Sequence, residues 1–210
     1  MNAYGIATSA AAAREAHAFQ DAREGADAVA GVVAGVAAQT LRPACEDSTP
    51  PRFDERRLRD ALGRFATGVV VISTGSGDTL HAMTANAFMS GSLRPPLLVV
   101  SVGHRARMHE HLMSASNFGV SVLSDEQEPH SRHFAGEPQG RLAPQFTQAD
   151  GLDGVMLLER AVARFALRMS DRHACGDHTL FVGEVLAFSL DDRAPLVFFG
   201  GRYAGVAQGR

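Results

Sequence analysis

Lysine is absent from this chain; all 20 of its basic residues are arginine. That one gap removes several chemistries. A Walker A loop needs a Gly-Lys pair, Schiff-base and pyridoxal enzymes need a lysine amine, and a kinase needs its strand lysine. Tryptophan is also absent, and tyrosine occurs only at Tyr4 and Tyr203. The two cysteines, Cys45 and Cys175, form no CxxC pair and no disulfide framework, so a reducing cytoplasm is the expected compartment. The longest apolar run, Ala28 to Ala38, is too short to span a bilayer. The first residues lack the basic stretch of a signal peptide. No GxGxxG fingerprint is present either: after Gly75–Ser76–Gly77, Leu80 stands where the third glycine would be. A Rossmann dinucleotide domain is therefore not expected.

The chain has 210 residues, enough for one full-size domain and a tail. Net charge is −3. Residues 1–50 carry Arg14, Arg23 and Arg42 against Glu15, Asp21, Glu24, Asp27, Glu46 and Asp47, while the remainder balances. The surplus negative charge thus sits on the tail, and neither nucleic acid nor membrane is an expected partner. The tail is alanine-rich, with candidate helices over Ala10–Gln20, capped by Ser9, and Ala26–Gln39. The stretch Arg42 to Arg52, with Pro43, Pro50 and Pro51, reads as a linker. Residues 1–52 are expected to be an extension and 53–210 the folded domain.

From Phe53 the texture changes. Phe53, Leu58, Leu62 and Phe65 predict a short amphipathic helix. Val69–Thr74 is a β-branched run that predicts a buried strand, and Gly75–Asp78 is a turn signal. Thr79–Thr84, Phe88–Ser92, Leu97–Val102, Phe118–Leu123, Val162–Met169, His178–Leu190 and Leu196–Phe199 also read as strands. Met108–Ala115 and Glu126–Phe134 read as short helices, and Pro138–Leu152 as a polar loop. Seven or eight strands without regular βαβ alternation predict a mainly β fold, an antiparallel barrel.

Five segments offer chemistry. Met83–Ser92 is rich in small and hydroxyl residues, so a flat ligand can approach its main chain near Thr84, Asn86 and Ser90. Ser101–Met108 ends a strand at Gly103 and opens a helix with Arg105 and Arg107 in its first turn. Free N–H groups and the positive end of the helix dipole suit a phosphate there; two solvated arginines are the plain alternative. His173, Cys175, Asp177 and His178 are potential metal ligands, but their spacing fits no zinc pattern, and no metal is expected. His178 alternatively faces a pocket at a strand mouth. Leu196–Tyr203 ends a strand in Gly200–Gly201, where Tyr203 could close over a ring. Ser131–Gly136 ends a short helix at a glycine.

Taken together, these segments resemble the short-chain flavin:NAD(P)H reductases, the small reductase components of two-component aromatic monooxygenases such as phenol and 4-hydroxyphenylacetate hydroxylases. The motifs are Gly63–Val69, Met83–Ser90, Asn117–Leu123, Phe134–Gly136, Gly176–Val185 and Phe198–Tyr203, in that order. The resemblance covers Phe53 to Gln208. It implies an FMN-binding split β-barrel working as a homodimer, with FMN or FAD near the subunit interface. Thr84, Ala85, Asn86, Ala87, Phe88, Ser90 and Gly91 would wrap the isoalloxazine. Ser101, Arg105, Ala106, Arg107 and Met108 would lie at the phosphate end, and Phe134, Ala135 and Gly136 would border the flavin. His178, the candidate catalytic residue, would meet the nicotinamide nucleotide with Arg202 and Tyr203. The implied reaction is hydride transfer from the C4 of NADH or NADPH to flavin N5, with reduced flavin passed to a partner oxygenase. Gly91 and Ser121 depart from the family's usual residues and leave FMN against FAD open. A flavin- or heme-binding split barrel without turnover is the alternative.

Overall fold

A computed structural model of the chain describes residues 53–206 apart from 138 and 153. The expected alanine-rich helices of residues 1–52 lie outside the described residues. The elements are α1 (Glu55–Leu62), β1 (Thr67–Gly68), β2 (Val70–Thr74), β3 (His81–Ala85), β4 (Phe88–Leu93), β5 (Pro96–Gly103), α2 (Arg107–Ser114), β6 (Asn117–Val122), α3 (Glu128–Phe134), β7 (Phe146–Gln148), β8 (Met156–Leu158), β9 (Ala163–Cys175), β10 (His178–Leu190), β11 (Leu196–Phe199) and β12 (Arg202–Gly205). Seven strands form one antiparallel sheet in the order β3-β2-β6-β9-β10-β5-β4. A second sheet orders β1-β11-β12, and β7 pairs with β8. The fold is the mainly β, antiparallel architecture that the strand pattern predicts.

The β-branched run explains the centre. A strand buried on one face alternates apolar and polar residues; one buried on both reads as a continuous apolar run. Every residue of β2 is buried. Val70 and Ile72 pack into the barrel core with Leu98, Val100, Phe118, Leu167 and Phe181. Val69 and Val71 face the other way, onto Leu123, Leu158 and Leu196. Two cores therefore share one strand. Met108 and Leu112, one helical turn apart, fix α2 across the barrel core. Gly183 sits where β10 crosses this core: a Cβ there would lie 2.7 Å from Phe118 Cζ.

Four expectations change. Pro138–Leu152 is not wholly loop, because it contains β7; three residues are too few to show a period. The strand expected over Val162–Met169 runs on to Cys175, and its outer half is exposed and so carries no apolar pattern. Arg202 and Tyr203 form a strand rather than a free tip beyond a hinge, with Tyr203 opposite Phe198. The helix expected around Phe53–Phe65 is α1, yet none of its residues is buried. Phe53 is 67% and Phe65 77% exposed. Among the described residues no helix is long and apolar enough to cross a membrane.

Two partly buried histidines make stability depend on pH. His81 of β3 stacks on His111 of α2, with ring centroids 4.5 Å apart. Burial, then His111 and Arg107, holds the His81 pKa below its ordinary 6.5. Burial, then His133 and Arg160, does the same to His130. A lowered histidine pKa means that the folded chain binds fewer protons than the unfolded chain. The stability from both residues is present above pH 6.5 and is lost as pH falls through the folded values. Thermal melts taken from about pH 7.5 to about pH 5.5 are expected to show a falling Tm. His81→Gln and His130→Gln should each flatten that fall; a slope unchanged in both would contradict this assignment.

Candidate functional site

The site is built where the two cores meet at the end of β3. Beyond Ala85 the chain turns through Asn86 and Ala87, both exposed, into β4. The Ser101 N–H donates to the Ala87 carbonyl at 3.0 Å, which joins this turn to β5. Three adjoining spaces meet at Asn86. A groove of about 760 Å³ runs beside Leu62, Phe65, Thr67, Phe198 and Gly201. A second space of about 330 Å³ lies against Phe65, Thr67, Phe88 and Val122. The third, about 190 Å³, is lined by Val69, Thr84, Ala85, Asn86, Ala135, Phe198 and Tyr203. Together they have the size and mixed lining of a small-molecule site.

A hydrogen-bonded chain fixes the wall of the third space. The Thr84 hydroxyl donates to the Ser131 carbonyl at 2.7 Å. The Ser131 and Tyr203 hydroxyls share a hydrogen bond of 2.8 Å. The Arg132 guanidinium lies 4.9 Å from the centre of the Tyr203 ring, and Phe198 meets that ring edge-on at 5.3 Å. Arg132 is itself held by Glu128 at 2.8 Å and Glu137 at 3.1 Å, which raise its pKa. In this structure Tyr203 stands as a wall of the third space, held at its hydroxyl by Ser131 and at its ring by Arg132 and Phe198.

A second group gathers where β5 leads into α2. His178 of β10 pairs with Gly103 of β5. Its Nδ1 lies 2.8 Å from the Asp177 carboxylate, which this contact holds below the ordinary carboxylate pKa. An ionised Asp177 accepts from Nδ1–H and leaves Nε2 as the free nitrogen. The His104 N–H donates to the Asp177 carbonyl at 3.0 Å. Thr179, next in line, brings its hydroxyl within 2.9 Å of His109 Nε2 and 3.3 Å of His104 Nε2. Arg105 and Arg107 are exposed and, among the described residues, have no carboxylate partner, whereas Arg132, Arg160, Arg168 and Arg193 all do. At a helix start, two unpaired arginines beside free N–H groups favour an anion. The far end of α2 is held too, since the Arg172 guanidinium donates to the Leu112 and Ala115 carbonyls.

Thr84, Ala85, Asn86, Ala135 and Tyr203 are brought to one cavity, and Phe88 lines the space beside it. Ser101 joins them through Ala87. Phe134 packs on Phe146 at 5.9 Å, and Gly136 is exposed just past the helix. Ser90 and Gly91 lie farther along β4, where a bulge displaces Gly91 from the pairing; they line none of the three spaces. The Met108 side chain is wholly buried in the barrel core, so only its main chain faces the helix start; Ala106 stands at the cap of α2. Arg202 is exposed in β12. His178 is not a lining residue of the spaces at Asn86. Among the described residues no three His, Cys, Asp or Glu side chains converge on a metal position.

Two residues had not been singled out for the site. Ser131 opens a motif that reads as a helix stop. Thr67 lies inside Gly63–Val69 and lines two of the spaces. Its hydroxyl is buried without a hydrogen-bond partner, and so is a donor that a polar ligand could satisfy. The small residues at 85, 87 and 135, and the Asn86 amide, Arg105 and Arg107, which have no side-chain partner among the described residues, fit a flat polar ring with an anionic arm.

Comparison with known proteins agrees. The profile described as "Flavin reductase like domain" matches residues 62–207. An NADH-dependent flavin reductase from Rhodococcus sp is 42% identical over 156 residues, covering 73% of this chain and 87% of that protein. The reductase component of 4-hydroxyphenylacetate 3-monooxygenase from Thermus thermophilus is 38% identical over 143 residues, covering 68% and 90%. The structure of flavin reductase PheA2 in its native state superimposes with a TM-score of 0.70 at 40% identity, covering 74% of this chain and all of that one. The chain belongs to the flavin reductase-like family.

Proposed function

We propose that this chain is a flavin:NAD(P)H oxidoreductase that reduces FMN or FAD for a partner oxygenase. The observation that carries this reading is the meeting of three spaces at Asn86, with unpaired arginines at the adjoining helix start. When bound, the flavin supplies the N5 that accepts hydride from nicotinamide C4.

The protein's part is placement. Ala85, Ala87 and Ala135 carry no bulk, so a ring can lie close to the main chain. The Asn86 amide offers a donor and an acceptor at its edge. Arg105 and Arg107 would hold the ribityl phosphate, in a chain where arginine is the only side chain permanently cationic at neutral pH. Fixed N–H donors stabilise negative charge as it grows, without reorganising. His178, aimed by Asp177, presents Nε2 to the nicotinamide nucleotide; Tyr203 and Arg202 form a wall for the same ligand. Two rings held face to face at near-attack distance need little acid–base help. The compartment proposed is the cytoplasm, where a reductase that consumes NADH would meet its hydride donor.

The purified chain is expected to oxidise NADH only when FMN or FAD is supplied. His178→Ala is expected to lower kcat/KM for the nucleotide by about tenfold, as loss of one well-aligned hydrogen bond does. Flavin binding without any NADH oxidation would replace this reading with a binding protein; an unchanged rate in His178→Ala would remove that residue from the mechanism.

The assembly proposed is a homodimer. Phe53, Leu62 and Phe65 stand exposed at or next to the groove, and exposed aromatic and aliphatic side chains gathered at one place mark an association surface. Light scattering is expected to give twice the chain mass, and Phe65→Asp to shift it toward the monomer. A monomeric wild-type chain would contradict the assignment.

A further inference from the structure

We infer that Ser131 is a positioning residue that aligns the wall for the nicotinamide nucleotide; this rests on the reductase reading above. Ser131 is fully buried and lies on α3, outside the strands that form the cavity. It nevertheless makes both polar links between them. Its carbonyl accepts from Thr84, 47 residues earlier, and its hydroxyl bonds to Tyr203, 72 residues later. Thr84 and Tyr203 face the same space, so a single residue sets how far apart they stand.

The geometry makes this more than packing. The Tyr203 ring is confined by Arg132 over one face and Phe198 at its edge, contacts that leave rotation about the ring's long axis restrained but not its depth in the cavity. Depth is set at the hydroxyl, by Ser131. A buried hydroxyl that loses its partner keeps its desolvation cost, so Tyr203 without Ser131 Oγ has reason to turn toward water. A wall displaced in this way weakens the ground-state contact with the nucleotide while leaving the reacting atoms themselves untouched. KM should therefore move, and kcat should not.

Removing either hydroxyl breaks the same bond. Ser131→Ala retains the carbonyl that receives Thr84, so the flavin side of the cavity is preserved. Tyr203→Phe leaves the sequence of α3 intact and removes only the hydroxyl that Ser131 Oγ meets. In steady-state assays at saturating flavin, each variant is expected to raise the KM for NADH about fivefold to tenfold, with kcat within about twofold of wild type. The double variant is expected to be no worse than the more affected single variant, because the second change removes nothing further. A merely structural serine would lower Tm without moving KM. Wild-type turnover with KM unmoved in both single variants, or effects that multiply in the double variant, would overturn the inference alone. No turnover by the wild type with any flavin would overturn the reductase reading and this inference with it.

Discussion

The whole arrangement depends on one strand being buried on both faces. β2 presents Val70 and Ile72 to the barrel and Val71, with Val69 just before the strand, to the second core. Burying each such side chain contributes roughly 1.5–3 kcal/mol, so the two cores cannot separate without exposing one face of the same strand. β3 pairs with β2 and inherits this position. Its far end, Thr84–Asn86, emerges at the seam between the cores, and β11 and β12 are held against the other side of that seam by Leu196, Phe198 and Tyr203. The cavity is a consequence of the seam: two packed bodies share a strand and leave a gap at its end.

Charge is organised around the same place. With lysine missing, every permanent cation is a guanidinium, a planar donor suited to carboxylates and phosphates alike. Several of those away from the site are spent on structure. Arg160 and Arg193 share Glu126, Arg168 pairs with Glu184, and Arg172 caps α2. Arg132 is held by two carboxylates and lies over Tyr203. Arg105 and Arg107 have no such partner among the described residues, and they stand at a helix start where an isolated helix disfavours them. Burial, then His111 and Arg107, holds the neighbouring His81 below its ordinary pKa and so disfavours a further positive charge there.

Much of this was legible in the residues. β10 and β11 begin and end where the sequence places them, because Asp177 and the Ala194–Pro195 turn interrupt apolar patterns sharply. The helix start with its two arginines, the small-residue turn at Ala85–Ala87 and the Gly-Gly turn before Tyr203 were also visible. The outer half of β9 was not, since a strand exposed on both faces has no period to read. Nor was the role of Ser131. Its two bonds join residues far apart in the chain, and a serine near the end of a helix looks like any other. Gly91 and Met108 were read from their motifs alone: the structure places one at a bulge and the side chain of the other in the core.

The most direct measurement is a crystal structure of the chain with FMN. Density for the isoalloxazine is expected against Thr84–Asn86, with Tyr203 and Ala135 at the edge of its cavity and the phosphate at Arg105 and Arg107. A ring bound elsewhere, with Asn86 untouched and the two arginines free, would contradict the assignment of the site.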